Sequence, residues 1–220
     1  MKKLAATAAF AAALFASVAA NANADTRSVL AHANATVTDL KVDPVFGGAR
    51  ETIRHARAVL IVPGLVKGGF IFGAEGGDGV LLARTRHGWS DPAFYSLGSA
   101  SFGLQIGLEQ AQLVMFIMSD RALRGIEEGK VKLGAGAGLT VVTLGAGAEG
   151  ATPANLSGDI IVWSKAQGAY GGITVNGSVI APEQDTNAEF YGHPVSVPQI
   201  LHTSSNASAA RLRANLAGVW

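Results

Sequence analysis

The sequence predicts an α+β fold, in which a single domain holds a mostly antiparallel, glycine-rich β-sheet flanked by N-terminal and C-terminal helices. Helix-type periodicity dominates the two ends of the chain, whereas short apolar runs and alternating stretches fill the middle. Glycine occurs 28 times in 220 residues, which is about twice its ordinary usage. Helices followed by a block of strands and then by further helices are typical of the α+β class.

The first 24 residues predict a secretory signal peptide that does not belong to the fold. Lys2 and Lys3 precede an apolar, alanine-rich run over 4–20, and Ala22-Asn23-Ala24 offers a small-x-small cleavage site. The alternative is a membrane anchor, but an anchor needs roughly 20 strongly apolar residues. We therefore expect cleavage after Ala24 and a mature domain over residues 25–220 that is exported to the periplasm.

Composition excludes several classes of protein. Cysteine is absent, which excludes a disulfide framework, a thiol nucleophile and a cysteine-based metal site. The 17 basic residues nearly balance the 16 acidic ones, so no bulk electrostatic attraction to nucleic acid is expected. The hydrophobic fraction of 49% is too high for a disordered chain.

Two helices are predicted ahead of the sheet. In the first, over 26–41, an apolar stripe recurs at spacings of three and four residues. In the second, over 48–57, Arg50, Arg54 and Arg57 fall within an arc of roughly 60°. This helix is therefore predicted to be basic along one edge and apolar along the next.

The later elements are predicted from apolar runs bounded by glycine, proline and polar turn residues. A buried strand over 58–62 ends at Pro63-Gly64, and a glycine-rich loop over 67–79 follows. The other predicted strands cover 80–84, 93–107, 111–118, 131–148 and a hairpin of 158–165 with 169–180 around Gln167-Gly168. The other predicted helices cover 119–128, 182–191, 197–203 and 207–217.

No motif predicts a catalytic residue, a cofactor or a metal site. Gly145-x-Gly147-x-x-Gly150 matches the dinucleotide fingerprint, but Pro153 and Asn155 follow where a helix must begin. The sequence has no Gly-x-Ser-x-Gly elbow and no phosphate-binding loop of the P-loop type, and its five histidines lack metal-ligand spacing. Glu75, Asp78 and Asp91 could serve acid–base chemistry, although turn and cap roles explain such loop acids more simply.

Basic residues near the start of the sheet are the sharpest binding feature. A helix edged by Arg50, Arg54 and Arg57 suits an anionic lipid surface. The alternative is an ordinary surface helix packed on the sheet. Lys67, beside Gly68-Gly69, could contact a phosphate headgroup together with exposed backbone N–H groups, or it could be a solvated lysine.

An ordered set of landmarks resembles the SYLF-domain family across about 26–217. The landmarks are Ile61-Val62-Pro63, Lys67-Gly68-Gly69, Gly73, Gly76, Gly79-Val80-Leu81-Leu82, Trp89-Ser90-x-Pro92, Ser101-Phe102-Gly103-x-Gln105-Ile106-Gly107, Gly134-Ala135-Gly136-Ala137, Ala169-Tyr170-Gly171-Gly172-Ile173-Thr174-Val175-Asn176-Gly177-Ser178, Asn187 and Phe190-Tyr191-Gly192. One departure is the segment Gly145–Gly150, which lacks the proline of the family's Gly-Pro-x-Gly turn.

The resemblance implies a lipid-binding module that is not an enzyme. Eukaryotic members are associated with phosphoinositides and with actin-patch regulation, partners that an exported chain would not meet. Carried onto this sequence, the lipid-facing positions are Arg50, Arg54, Arg57 and Lys67, and the expected partner is phospholipid or a membrane surface. A partner protein in the envelope stays open.

Two alternatives come from other classes. A small outer-membrane β-barrel or structural envelope protein is favoured by the export signal, the glycine-rich strands and the terminal Trp220, but girdles of aromatic residues are missing. A hydrolase with a dispersed Ser/His/Asp set has no motif to support it.

Overall fold

The structure is a computed structural model that describes residues 26–43, 50–69, 72–102, 107–129, 131–133, 141–144, 158–167, 175, 177–203 and 205–219. The predicted signal peptide and the Gly145–Gly150 stretch lie outside these residues. Helices are α1 Thr26–Val42, α2 Arg50–His55, α3 Asp120–Glu128, α4 Gln184–Tyr191, α5 Val197–Leu201 and α6 Ala210–Ala217, with a 3-10 turn over Ala207–Ala209. Strands are β1 Ala58–Gly69, β2 Phe72–Thr85, β3 Gly88–Trp89, β4 Ala93–Phe102, β5 Gly107–Ile117, β6 Val131–Lys132, β7 Val141–Leu144, β8 Ile160–Gln167 and β9 Val179–Pro182.

The strands described form one sheet in the order β6-β9-β4-β2-β1-β5-β8-β7, with β3 paired to β2. The pairs are antiparallel except that of β7 with β8, which is parallel. The predicted α+β domain with a mostly antiparallel sheet and helices at both ends is confirmed. No helix in the described part of the chain has the length and apolar character needed to cross a bilayer.

Helices cover both faces of the sheet, which explains the continuous apolar run at the start of β1. Val59 and Ile61 pack under α1 and α6, while Leu60 and Val62 face the other side with α3 and α5. Neighbouring residues of a strand point to opposite faces. A strand covered on both sides therefore needs apolar side chains at consecutive positions.

The prediction that the first strand ends at Pro63-Gly64 is wrong, because β1 continues through them to Gly69. The register with β5 shifts between Val62 and Leu65, which marks a bulge. Proline lacks an N–H for the ladder and is tolerated at a bulge. The glycine-rich segment predicted as a loop over 67–79 is consequently strand on both sides of 70–71.

Two further predictions need correction. The helix predicted over 48–57 is observed as Arg50–His55, so Arg57 lies beyond its end. The predicted hairpin of 158–165 with 169–180 is also wrong where the structure describes it. Strand β8 pairs with β5 and β7, whereas β9 pairs with β4 and β6 on the other side of the sheet. Residues 168–174 of the predicted hairpin lie outside the described part of the chain.

Candidate membrane-binding surface

The arginines that the sequence singles out lie where α2 enters the sheet. Arg50 is the first residue of α2, a helix of only six residues. Arg54 lies one turn later, and its guanidinium is 3.3 Å from Glu51, with the Arg54 side chain 55% exposed. Arg57 follows after the helix has ended, so the three positions do not share one helical stripe.

Backbone hydrogen bonds fix Arg57 at the end of the sheet. Its N–H donates to the carbonyl of Ile117 at 2.7 Å, and its own carbonyl accepts from the N–H of Arg84 at 2.8 Å. Its side chain, 56% exposed, reaches Asp120 at 3.1 Å. Arg57 is thus held between the ends of β2 and β5.

A third exposed arginine joins this region from α3. Arg121 follows Asp120 directly and pairs with Asp159 at 2.8 Å. We call Arg54, Arg57 and Arg121 the arginine cluster. The carboxylate partners of Arg54 and Arg57 are themselves more than half exposed, and such exposed pairs are worth about 0–1 kcal/mol. Phosphate oxygens of a ligand can therefore replace these carboxylates at little cost.

Lys67 is not brought together with the arginine cluster. It lies in β1 opposite Glu75 of β2 and Glu109 of β5. Ten residues of extended chain separate Lys67 from Arg57, which corresponds to roughly 33 Å along the strand at 3.3 Å per residue. The predicted surface in which the basic helix and the glycine-rich segment act together is therefore divided between the two ends of β1.

The three acids considered for acid–base chemistry have different partners. Glu75 is buried and accepts a hydrogen bond from the Ser178 hydroxyl at 2.6 Å. Asp91 is buried in an ion pair with Arg213. Asp78 lines a cavity of about 10 Å³ together with Glu183. Among the described residues, no group of three His, Cys, Asp or Glu could hold a metal ion.

Burial raises the pKa of the Asp78 carboxyl, with a smaller contribution in the same direction from Glu183. A group whose pKa is higher in the folded state stabilises the fold below its unfolded pKa. That stability is lost as the pH rises through the folded pKa. Ionised Asp78 therefore destabilises the fold at neutral pH.

Replacing Asp78 by asparagine should remove this pH-dependent loss of folding stability, since asparagine stays neutral. We expect the free energy of unfolding of Asp78→Asn, relative to wild type, to rise between about pH 3 and about pH 7, a range that spans the titration of an aspartate. Urea unfolding at both pH values measures it. The matched control is Asp185→Asn, at an exposed position of α4. An equal change in both variants would contradict the prediction.

A groove between α1 and α6 was not predicted from the sequence. It has a volume of about 520 Å³, and Arg27, Asn34, Thr38, Ser208 and Arg211 are among its lining residues. The Asn215 side chain ties the two helices together by donating to the Asn34 carbonyl at 3.0 Å. The walls of the groove come from opposite ends of the chain, so no local motif could have indicated the groove.

A protein-family model described as "Ysc84: Las17-binding protein actin regulator" matches residues 98–219. This match covers more than half of the chain. The chain belongs to the Ysc84 family. Since the Ysc84 domain is the SYLF domain, the resemblance found in the sequence is confirmed.

Three relatives of the Ysc84 family illustrate the similarity. Protein YSC84 of Saccharomyces cerevisiae is 31% identical over 170 residues, covering 74% of this chain and 36% of the relative. LAS seventeen-binding protein 3 of the same organism is 29% identical, with coverages of 74% and 37%. SH3 domain-containing YSC84-like protein 1 of Homo sapiens is 30% identical over 144 residues, with coverages of 64% and 42%.

The matched region spans less than half the length of these Ysc84 relatives. Their names describe an SH3 domain or binding to Las17, and the family description names an actin regulator. These words name binding and regulation and no enzymatic reaction. The Ysc84 model begins within β4, so Arg54, Arg57 and Lys67 all precede the segment that it matches.

Proposed function

We propose that this chain is a non-enzymatic protein of the periplasm that binds anionic phospholipid membranes through Arg50, Arg54 and Arg57. Residues 1–24 would direct its export and be removed after Ala24. Arg121 extends the same basic surface from α3. Lys67 belongs to the other end of β1 and is not part of this contact.

The proposal depends on the exposure to water of the ion pairs that Arg54 and Arg57 form. Both side chains are more than half exposed, and both are paired with carboxylates that are equally accessible to water. Buried ion pairs would resist exchange, because breaking them leaves a charge without compensation. Exposed pairs exchange freely, and arginine binds phosphate oxygens through two parallel hydrogen bonds.

Partner proteins are the second candidate, favoured by the family description. The Ysc84 model is named for a protein that binds Las17 and regulates actin. An exported chain would not meet actin, so the corresponding partner would be an envelope protein. Failure to bind any vesicle would favour this candidate.

Co-sedimentation of residues 25–220 with vesicles tests the membrane proposal. We expect binding to vesicles that contain anionic phospholipid, weaker binding at high salt, and loss of this binding in Arg50/Arg54/Arg57→Ala. Salt should weaken such a contact, since the Debye length falls from about 10 Å at 0.1 M to about 3 Å at 1 M.

The matched control removes three exposed cations from other parts of the chain. Lys132, Lys165 and Arg211 lie in β6, β8 and α6 and are exposed. Lys132/Lys165/Arg211→Ala changes the net charge by the same amount and should retain most of the binding. Equal losses in the two triple variants would show that net charge alone, and not this surface, governs the interaction.

A further inference from the structure

Three neighbouring strands have their ends at the same edge of the sheet. In the strand order, β1 lies between β2 and β5, and both pairs are antiparallel. The first residue of β1, Ala58, lies opposite Ala83 near the end of β2 and opposite Ile117 at the end of β5. The chain that enters β1 and the chains that leave β2 and β5 therefore meet at one edge.

Each of these three chain segments carries an arginine. Arg57 comes directly before β1, Arg86 comes directly after β2, and Arg121 lies in α3, which follows β5. Neighbouring strands are about 4.8 Å apart, so the three segments form a row along the edge with Arg57 in its middle. The arginine cluster contains Arg57 and Arg121 from this row, together with Arg54 of α2, but it does not include Arg86.

The turn that carries Arg86, residues 85–88, is held by its own hydrogen bonds, and we call it the β2–β3 turn. The Thr85 hydroxyl donates to the carbonyl of Gly88 at 3.1 Å and accepts from the N–H of His87 at 3.2 Å. Gly88 has a φ of 116°, which residues with a side chain rarely adopt. Arg86 is exposed on this turn. Because the backbone of the turn is already ordered, binding through Arg86 costs little conformational entropy.

Arg84, at the base of the β2–β3 turn, ties the turn to α2. Its guanidinium donates to the carbonyl of Ile53 at 2.6 Å and to that of Ala56 at 3.1 Å. Both carbonyls lie at the end of α2, where a helix leaves C=O groups without partners. The guanidinium also lies 4.4 Å from the centre of the Trp89 ring in β3, which is a favourable cation–π geometry. Arg84 therefore fixes the end of α2, and with it Arg54, against the strands that carry the turn.

Arg86 differs from the arginine cluster in its partners. Arg54, Arg57 and Arg121 are each paired with a carboxylate. Among the residues that the structure describes, no carboxylate forms an ion pair with Arg86. A phosphate that binds Arg86 therefore has no carboxylate to displace. Near an anionic membrane surface, one such basic residue strengthens binding by about fivefold.

We propose that the β2–β3 turn completes the membrane contact, with Arg86 as a further residue that binds lipid phosphate and Arg84 as the residue that positions α2. This inference rests on the proposed membrane function, because it assigns further residues to the same surface. The two roles predict different responses to lysine. Arg86 acts mainly through its charge, which lysine retains. Arg84 acts through two directed hydrogen bonds, and the compact ammonium of lysine does not reproduce the guanidinium fork.

Lysine and alanine substitutions distinguish the two roles in co-sedimentation of residues 25–220 with anionic phospholipid vesicles. We expect Arg86→Ala to weaken binding by about fivefold, whereas Arg86→Lys should bind like wild type. Arg84→Lys keeps the net charge but should weaken binding by a similar factor, because α2 is no longer held. The matched control is Lys132→Ala in β6. It removes the same charge as Arg86→Ala and should leave binding nearly unchanged.

A nitroxide spin label on α2 tests the positioning role separately from binding. The chain has no cysteine, so His55→Cys places a single label in α2, where the His55 side chain is 71% exposed. Without vesicles, Arg84→Lys should make this label more mobile, whereas Arg86→Lys should not. A label at Ser208→Cys, exposed just before α6, should keep its mobility in both variants. Circular dichroism and urea unfolding show whether each variant is folded.

The outcomes separate this inference from the proposed function. If the triple arginine variant loses binding while Arg86→Ala binds like wild type, the turn is not part of the contact and the proposed function stands. If folded Arg84→Lys retains full binding or an immobile α2 label, its positioning role is overturned. Equal losses from Arg86→Ala and Lys132→Ala would overturn the assignment of Arg86, since net charge alone would explain them. Binding of the wild type to no vesicle would overturn both the proposed function and this inference.

Discussion

Replacement of Asp91 by alanine is expected to lower the free energy of unfolding by about 3–5 kcal/mol, the loss measured when one partner of a buried ion pair is removed. The Asp91 side chain lies in the interior, with the residue only 1% exposed. It forms an ion pair with Arg213 of α6, which is itself largely buried. Alanine would leave that guanidinium without a compensating charge.

Asp91 also anchors the chain that leads into α6. Its carboxylate accepts hydrogen bonds from the N–H of Ser205 at 3.0 Å, from the N–H of Asn206 at 3.1 Å and from the hydroxyl of Thr203 at 3.2 Å. Its own N–H donates to the carbonyl of Thr203 at 2.7 Å. Loss of the carboxylate leaves several donors unsatisfied, which adds to the destabilisation.

Urea unfolding of Asp91→Ala, Arg213→Ala and the double variant measures the effect. Because the two charges compensate each other, the double variant should lose less stability than the sum of the single variants. Asp120→Ala is the control, since its pair with Arg57 is exposed, and it should lose no more than about 1 kcal/mol. A loss from Asp91→Ala as small as that of the control would refute the role assigned to this pair.

Replacement of Gly79 by alanine is expected to destabilise the sheet by about 1–3 kcal/mol, the usual cost of forcing an extra group into a packed core. A Cβ at Gly79 would lie 2.5 Å from the carbonyl oxygen of Ile61 and 2.9 Å from Cγ2 of Val62. The nearest atom belongs to the backbone of β1, so relief requires the strand itself to move. A Cβ at Gly77 would likewise lie 2.8 Å from the carbonyl oxygen of Gly64.

Gly98→Ala is the matched control in the neighbouring strand. A Cβ at Gly98 would meet its nearest neighbour, the carbonyl oxygen of Glu75, at an ordinary 3.6 Å. Where the conformation suits alanine, this exchange stabilises a protein by about 0.4–1 kcal/mol, because the unfolded chain loses freedom. Thermal and urea unfolding should therefore give opposite signs for the two variants. Equal effects would contradict the close approach of β2 to β1.

The close approach of β2 to β1 explains why the segment predicted as a loop is rich in glycine. Its glycines resemble turn residues when only the sequence is considered. Gly77 and Gly79 are instead strand residues that let β2 lie against the bulge around Pro63. The bulge is visible only in the pairing of three strands, so spacing along one segment cannot indicate it.

Asp91 is a charged residue whose partners, likewise, cannot be predicted from its neighbours in the sequence. The sequence places it in a turn beside Pro92, where capping chemistry is the simplest role. Its actual partners are Thr203, Ser205, Asn206 and Arg213, more than 110 residues later. No local pattern pairs residues at that separation. For the same reason, the groove between α1 and α6 was not predicted.

Local periodicity was sufficient to predict the helices and strands whose hydrophobic pattern matches the faces that they bury. The stripe of α1 and the apolar run of β1 were predicted correctly because burial on one or both faces leaves its period in the residues. The family was also visible in the order of the glycine-rich landmarks. Only the tertiary structure decided which end of β1 each basic residue occupies. It separated Lys67 from the arginines, because strand length and long-range register, which no local pattern encodes, set the distances between residues.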